Sequence, residues 1–151
     1  MKIKFKQENS PGFIIRRLDT LLKLALRHAF KEKGFDFTAE QWGVLFKLYG
    51  NEGIHQSNLA VRAGKDRHNI TRILNLLEKK GYIRRIPDEH DMRRYNIFLT
   101  EKSREIEESL TSIVFDLAEK VFAGMTRRQI MEMQKAHEHM IKNIEALLKK
   151  P

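Results

Sequence analysis

Five side chains between residues 67 and 75 have types and spacing that suit recognition chemistry. Arg67, His68, Thr71, Arg72 and Asn75, with Lys79 one turn further on, lie opposite Ile70, Ile73, Leu74 and Leu77. The four apolar residues follow the i, i+3, i+4, i+7 rule of a core-facing helical stripe. The polar set offers guanidinium, imidazole, hydroxyl and amide groups, the donors and acceptors that contact base edges and phosphates in a DNA major groove. A second group, Asp91, Arg93 and Arg94, follows in a charged loop. A carboxylate two residues before an arginine can fix the guanidinium by a charge-assisted hydrogen bond. An arginine held extended suits a narrow, A·T-rich minor groove, where the negative potential is strongest. Polar helix faces are also common as plain solvated surface, so the surrounding elements must discriminate.

The helix carrying the first group runs over residues 66–80. Asp66 is its N-cap and Gly81 stands where a left-handed C′ residue belongs. Residues 82–86 are strand-like and Pro87 ends them. Residues 88–94 form a polar loop, and 95–99 a second strand with Tyr95, Ile97 and Leu99 on one face. Upstream, Thr38 and Gln41 give a capping box that opens a helix through Trp42, Val44, Leu45, Leu48 and Tyr49. Gly50 to Gly53 is a turn, followed by a short helix from 55 to 62 or 63, and Gly64 bends the chain into Asp66. A short helix, a turn containing glycine and a second helix with a polar face make a helix-turn-helix; the hairpin behind it supplies a wing. The expected fold class is mainly α with a small β-hairpin wing.

These residues resemble the MarR (multiple antibiotic resistance regulator) family of transcription regulators. The resemblance is carried by Thr38-Ala39-Glu40-Gln41-Trp42-Gly43-Val44-Leu45, by Leu59-Ala60-Val61-Arg62-Ala63-Gly64, and by the run from Asn69 through Gly81 to Ile83. Asp91-Met92-Arg93 and Leu99-Thr100-Glu101-Lys102 extend it. Ser103 departs from the pattern, since many members have glycine there, and changes little. Arg67-His68-Asn69 falls where members vary, so the operator sequence stays unassigned. The resemblance implies a single domain over residues 1–151. Its winged helix-turn-helix core covers about 38–99, flanked by N- and C-terminal dimerisation helices at about 10–33 and 101–149. It implies a ligand-responsive repressor that binds double-stranded DNA as a homodimer on a pseudo-palindromic operator. Arg93 is then the minor-groove wing residue, Asp91 its orienting partner, and Arg94 a phosphate contact. Effectors in the family are typically small anionic aromatic compounds bound between the dimer region and the winged core. Arg16, Arg17, Trp42 and Tyr49 are the residues expected around one.

Charge is distributed as this reading requires. Of 29 Lys and Arg against 20 Asp and Glu, residues 61–100 hold ten against five, and residues 101–151 hold nine of each. The excess therefore sits on the DNA-contacting half and the N-terminal region, which is stronger evidence than uniform basicity. With 41% hydrophobic and 32% charged residues, a 151-residue chain can bury a real core. No segment is apolar for long enough to span a membrane, and no apolar stretch with a small-residue cleavage site follows the basic start. Cysteine is absent, which excludes disulfides and thiol redox switching and fits a cytoplasmic protein.

The two ends read as apolar helices. Ser10-Pro11 opens one through Phe13, Ile14, Leu18, Leu21, Leu22 and Leu26 to a stop near Gly34. Thr100 starts another through Ile106, Leu110, Ile113 and Val121, broken at Gly124. Thr126 and Gln129 then cap a last one through Ile130, Met133, Ile141, Ile144 and Leu148. Stripes this wide would leave a large apolar patch on a monomer.

Enzymatic chemistry finds no support. There is no glycine-rich phosphate loop, no Gly-x-Ser-x-Gly elbow and no His-Glu-x-x-His. No cofactor is expected. His137 and His139, two apart on a helix, point to different faces and cannot chelate one metal together. Asp88 and Asp91 on a wing orient arginines rather than move protons. Trp42, Phe46 and Tyr49 are expected in the core. The alternative function is a helical protein–protein interaction module on a winged-helix scaffold, which the local charge excess and Asp91-Met92-Arg93 disfavour.

Overall fold

A computed structural model describes residues 6–149. The chain divides into two compact units at the Phe115–Asp116 junction. The first unit contains α1 (Pro11–Glu32), α2 (Ala39–Leu48), β1 (Ile54–His55), α3 (Gln56–Arg62), α4 (Arg67–Lys79), β2 (Ile83–Pro87), β3 (Tyr95–Leu99) and α5 (Glu101–Glu105). Helix α6 (Glu107–Val121) crosses the junction, and the second unit holds α7 (Arg127–Leu148). No helix among the described residues is long and apolar enough to cross a membrane.

Helix starts follow their caps. The Thr38 hydroxyl accepts from Gln41 N–H at 3.2 Å while the Gln41 side chain accepts from Thr38 N–H at 3.1 Å. The same reciprocal box forms at Thr126 and Gln129. Such pairs satisfy two of the orphan donors at a helix N-terminus. Asp66 caps α4 by accepting from Asn69 N–H at 2.8 Å. At the other end Gly81 has φ +78°, and Tyr82 N–H reaches back to Leu77 C=O at 2.9 Å. That is a Schellman closure, which a β-carbon at Gly81 would strain.

The core of the first unit is where the apolar stripes converge. Ile70, Ile73, Leu74 and Leu77 of α4 are buried with Val44, Leu45 and Leu48 of α2, Leu59 of α3, and Ile83, Ile97 and Leu99 of the sheet. Phe30 of α1 joins them, with its ring centroid 6.0 Å from both Phe37 and Trp42. Leu110 and Ile113 of α6 complete the cluster. Removing one such side chain to alanine costs about 2–5 kcal/mol.

Several expectations are corrected. The wing is three-stranded, in the order β1-β3-β2, because Ile54 and His55 pair with Ile97 and Asn96. His55 therefore ends a strand and is also the N-cap of α3. A two-residue strand carries no period-2 signal, so the sequence hid it. Pro87 is the last residue of β2, paired with Tyr95, and is tolerated because β2 is an edge strand. The helix after Thr100 is two, separated at Ile106. Phe46, expected in the core, is 53% exposed and covers the Trp42 ring at 5.4 Å.

Candidate nucleic-acid interface

Helix α4 packs its apolar stripe into the core, which turns the opposite face outward. Arg67, His68, Arg72 and Asn75 are exposed there, and Thr71 is half-buried at the edge toward the wing. Between α3, α4 and the wing lies an open cleft of about 960 Å³. Arg67, Thr71 and Asn75 border it from the helix, and Arg93 and Arg94 from the wing. Lys65 and Arg85 bring its Lys and Arg to five, against Glu78 as the one acidic residue. A concave surface with that balance concentrates positive potential where a phosphate backbone would run. His68 and Arg72 sit on the adjoining exposed face and do not line the cleft.

The polar groups of α4 are held by neighbours. Thr71 donates its hydroxyl to Arg67 C=O at 2.7 Å and accepts from the Gln56 amide of α3 at 2.9 Å. Arg72 pairs with Glu40 of α2 at 3.1 Å, and Lys65 reaches the other oxygen of that carboxylate at 2.9 Å. The Lys65 hydrogen bond holds the Glu40 carboxyl below its ordinary range, with Arg72 adding to it. Asn75 accepts from Arg85 of β2 at 2.8 Å.

The wing is organised differently. Asp88 accepts from the backbone N–H of His90 at 3.0 Å and Asp91 at 3.1 Å, and from the Asn96 amide at 3.2 Å. Those bonds, the His90 N–H first, hold its carboxyl below the ordinary range. The hairpin closes through Asp88 N–H to Arg94 C=O at 2.9 Å. Asp91 was expected to orient the Arg93 guanidinium. It instead accepts from the Arg93 backbone N–H at 3.1 Å, and its carboxylate lies 3.4 Å from Nε of Arg94. The reason is reach: an Asx-turn satisfies the carboxylate on the main chain two residues on, and the next guanidinium folds back over it. The side chain of Arg93 has no partner among the described residues and extends from a fixed backbone.

Sequence reasoning missed Arg85, Gln56 and Glu40 as organisers. For Arg85 a signal existed. Period-2 alternation puts it on the same face of β2 as buried Ile83, so a basic residue was aimed inward at α4. Gln56 and Glu40 gave none, because each acts across a tertiary contact.

The four residues expected around an effector are not gathered within one chain. Trp42 is buried and Tyr49, 6.3 Å away ring to ring, donates its hydroxyl to Ser103 C=O at 3.1 Å. Burial pushes the Tyr49 phenol up in pKa. Arg16 and Arg17 are exposed on α1, about 20 Å along the helix axis from Phe30, the residue that touches Trp42, at a rise of ~1.5 Å per residue. Among the described residues no three His, Asp or Glu side chains cluster as metal ligands.

A helix-turn-helix whose second helix turns a polar face outward beside a basic three-stranded wing is a winged helix-turn-helix, a class built to hold double-stranded DNA. The sequence model of the MarR family matches residues 35–94, the span from α2 through the wing loop. YybA of Bacillus subtilis, an uncharacterized HTH-type transcriptional regulator, is 29% identical over 134 residues, covering 89% of this chain and 85% of that protein. A MarR transcriptional regulator from Methanosarcina mazei superposes with a TM-score of 0.77 at 28% identity, covering 90% of this chain and 96% of the other. MepR of S. aureus, solved in complex with DNA, shares the fold at a TM-score of 0.79 and 23% identity, over 92% and 99% of the two chains. Over residues 35–94 the chain matches the MarR family, and its fold is that of these DNA-binding winged helix-turn-helix transcription regulators, a non-enzymatic class.

Proposed function

We propose that this protein is a homodimeric repressor that binds a pseudo-palindromic operator and releases it when a small anionic aromatic effector binds. The observation carrying the proposal is that the first unit pairs one basic cleft with an uncovered apolar helix face. Ile14, Leu18, Leu21 and Leu22 follow helical spacing along α1 and are all 38% or more exposed. Contiguous apolar surface of that kind marks an association site. In the second unit Ile141, Ile144, Leu147 and Leu148 of α7 are exposed in the same way. Burying both helices against a second copy makes residues about 10–33 and 101–149 the dimerisation helices of one MarR-type domain spanning 1–151. A two-fold dimer then offers two copies of α4 to successive major grooves, with half-site centres roughly 10 bp apart.

In this reading Arg67, His68, Thr71, Arg72 and Asn75 contact the major groove, Arg93 enters the minor groove and Arg94 meets a phosphate. The effector site, drawn from Arg16, Arg17, Trp42 and Tyr49, is assembled only by the dimer. The location is cytoplasmic.

A mobility shift on the DNA flanking the protein's own gene, at low and moderate salt, tests the DNA part. The slope of log K against log[salt] is expected to scale as about −0.9 per phosphate neutralised, and a flat dependence overturns the assigned surface. Light scattering tests the assembly. A monomer at micromolar concentration, or a dimer that survives deletion of residues 126–151, overturns it. Release of the shifted band by simple phenolic acids is the expected effector result; no release across a panel of them removes that part of the reading.

A further inference from the structure

We infer that Arg85 sets base specificity by turning the Asn75 amide, so that Asn75 presents its NH₂ to an acceptor-only base edge, guanine first, and is denied the two-point contact with adenine. The inference rests on the assignment of Asn75 to the major groove.

Arg85 lies on β2 with its side chain only 14% exposed. Its guanidinium meets one face of α4 at three successive turns. It donates to Asn75 Oδ1 at 2.8 Å, to Glu78 Oε2 at 2.9 Å and to Thr71 C=O at 3.4 Å. Its own backbone N–H donates to the second oxygen of Glu78 at 3.1 Å. Glu78 therefore grips both the main chain and the side chain of Arg85, which leaves the guanidinium little freedom.

Donor chemistry then decides the orientation of Asn75. A guanidinium has donors and no acceptor, so the amide atom facing it must be oxygen. The assignment of oxygen and nitrogen in this amide follows from its partner. The Asn75 NH₂ consequently points away from Arg85, has no partner among the described residues, and sits on the exposed face of α4.

Asparagine reads adenine with both ends of its amide, donating to N7 while accepting from N6–H. That requires both ends of the amide to reach one base edge together. Here the oxygen is turned toward the half-buried Arg85 guanidinium. What remains is a pair of N–H donors. Guanine offers N7 and O6, two acceptors side by side, whereas adenine places an N6–H donor where O6 would be.

The experiment is selection of bound duplexes from a randomised pool, with sequencing, on purified full-length protein. Wild type is expected to show guanine over adenine at one position per half-site by about tenfold, within the range of a good base contact. Asn75→Ala should erase the preference at that position alone. Asn75→Asp is isosteric, keeps the bond to Arg85 and loses both donors, so the preference should switch to cytosine, whose N4–H donates. Arg85→Met removes the donor and should bring guanine and adenine to within about threefold, while Arg85→Lys, which can still donate to Oδ1, should restore part of the bias. Circular dichroism checks each fold. If Arg85→Met weakens every sequence equally and leaves the guanine preference intact, Arg85 is a structural staple and the inference fails. If Arg85→Met does not fold, retention of guanine by Asn75→Asp overturns it on its own. If Asn75→Ala changes no base preference, the assignment of Asn75 to the groove is what has failed.

Discussion

Helix α4 and the wing loop both carry arginine toward one cleft, yet they are held in opposite ways. On α4 three of the five named side chains are fixed. Thr71 is tied to Gln56, Arg72 to Glu40, and Asn75 to Arg85. On the wing it is the backbone that is fixed, by Asp88 and Asp91, while the Arg93 side chain extends without a partner among the described residues. The difference matches the two tasks proposed for these residues. Reading a base edge needs donors and acceptors set in place beforehand, since each misplaced group costs affinity and selectivity. Entering a minor groove needs a long cation launched from a stable point, with the groove itself setting its final position.

The largest expected effect tests the wing side of this contrast. Arg93→Ala should weaken operator binding about 100-fold, or ~2.7 kcal/mol, the scale of lost charge-assisted hydrogen bonds. Melting temperature and dimer should not move, because the side chain has no partner among the described residues. Arg93→Lys should recover only part, since an ammonium lacks the planar fork. Calorimetric melts beside binding curves decide it. A strong drop in melting temperature with unchanged affinity of the folded fraction would mean that Arg93 shapes the hairpin instead.

Next come the residues that fix the wing backbone. Asp88 accepts two backbone N–H groups and one amide, whereas Asp91 accepts one backbone N–H. Asp88→Ala should therefore cost about tenfold in operator affinity and Asp91→Ala only a few-fold, through the ordering that a loosened loop must regain on binding. Equal effects, or the reverse order, would show that Asp91 acts on the Arg93 guanidinium after all.

A smaller effect probes the helix side. Glu40→Gln removes the charge that Lys65 and Arg72 share. Both cations then become available to phosphates, so binding to non-operator DNA at low salt should tighten by about two- to fivefold and the salt slope steepen by ~1 to 2. An unchanged slope would show that neither cation is near the DNA backbone.

The smallest effect is a matter of pH. Asp88 titrates below its ordinary 3.8 in the folded protein because His90, Asn96 and Asp91 donate to it. A lowered carboxyl pKa means that its contribution to the fold is complete above the ordinary carboxylate range. The contribution is lost as pH falls through the lowered value. Carboxyl-carbon chemical shifts should place the Asp88 midpoint below 3.8, and a midpoint at or above that value removes the capped-turn account.

Much of this molecule was legible in its residues alone. The capping boxes at Thr38 and Thr126, the Asp66 cap, the Gly81 stop and the apolar stripe of α4 are local features, set by nearest neighbours and helical period, and the structure shows each of them. Once the stripe of α4 is buried, the outward placement of Arg67, His68, Arg72 and Asn75 follows from the helical period. Only the tertiary structure decided what those side chains touch. The strand at Ile54 and His55 exists because Ile97 and Asn96 are there to pair with it. Asn75 has a defined amide orientation because Arg85, ten residues on in another element, reaches it. Asp91 bonds the main chain of Arg93 in place of its guanidinium within a turn that Asp88 also caps. Sequence periodicity fixes which way a side chain points, but its partner comes from a distant segment, and that pairing is set only when the core closes.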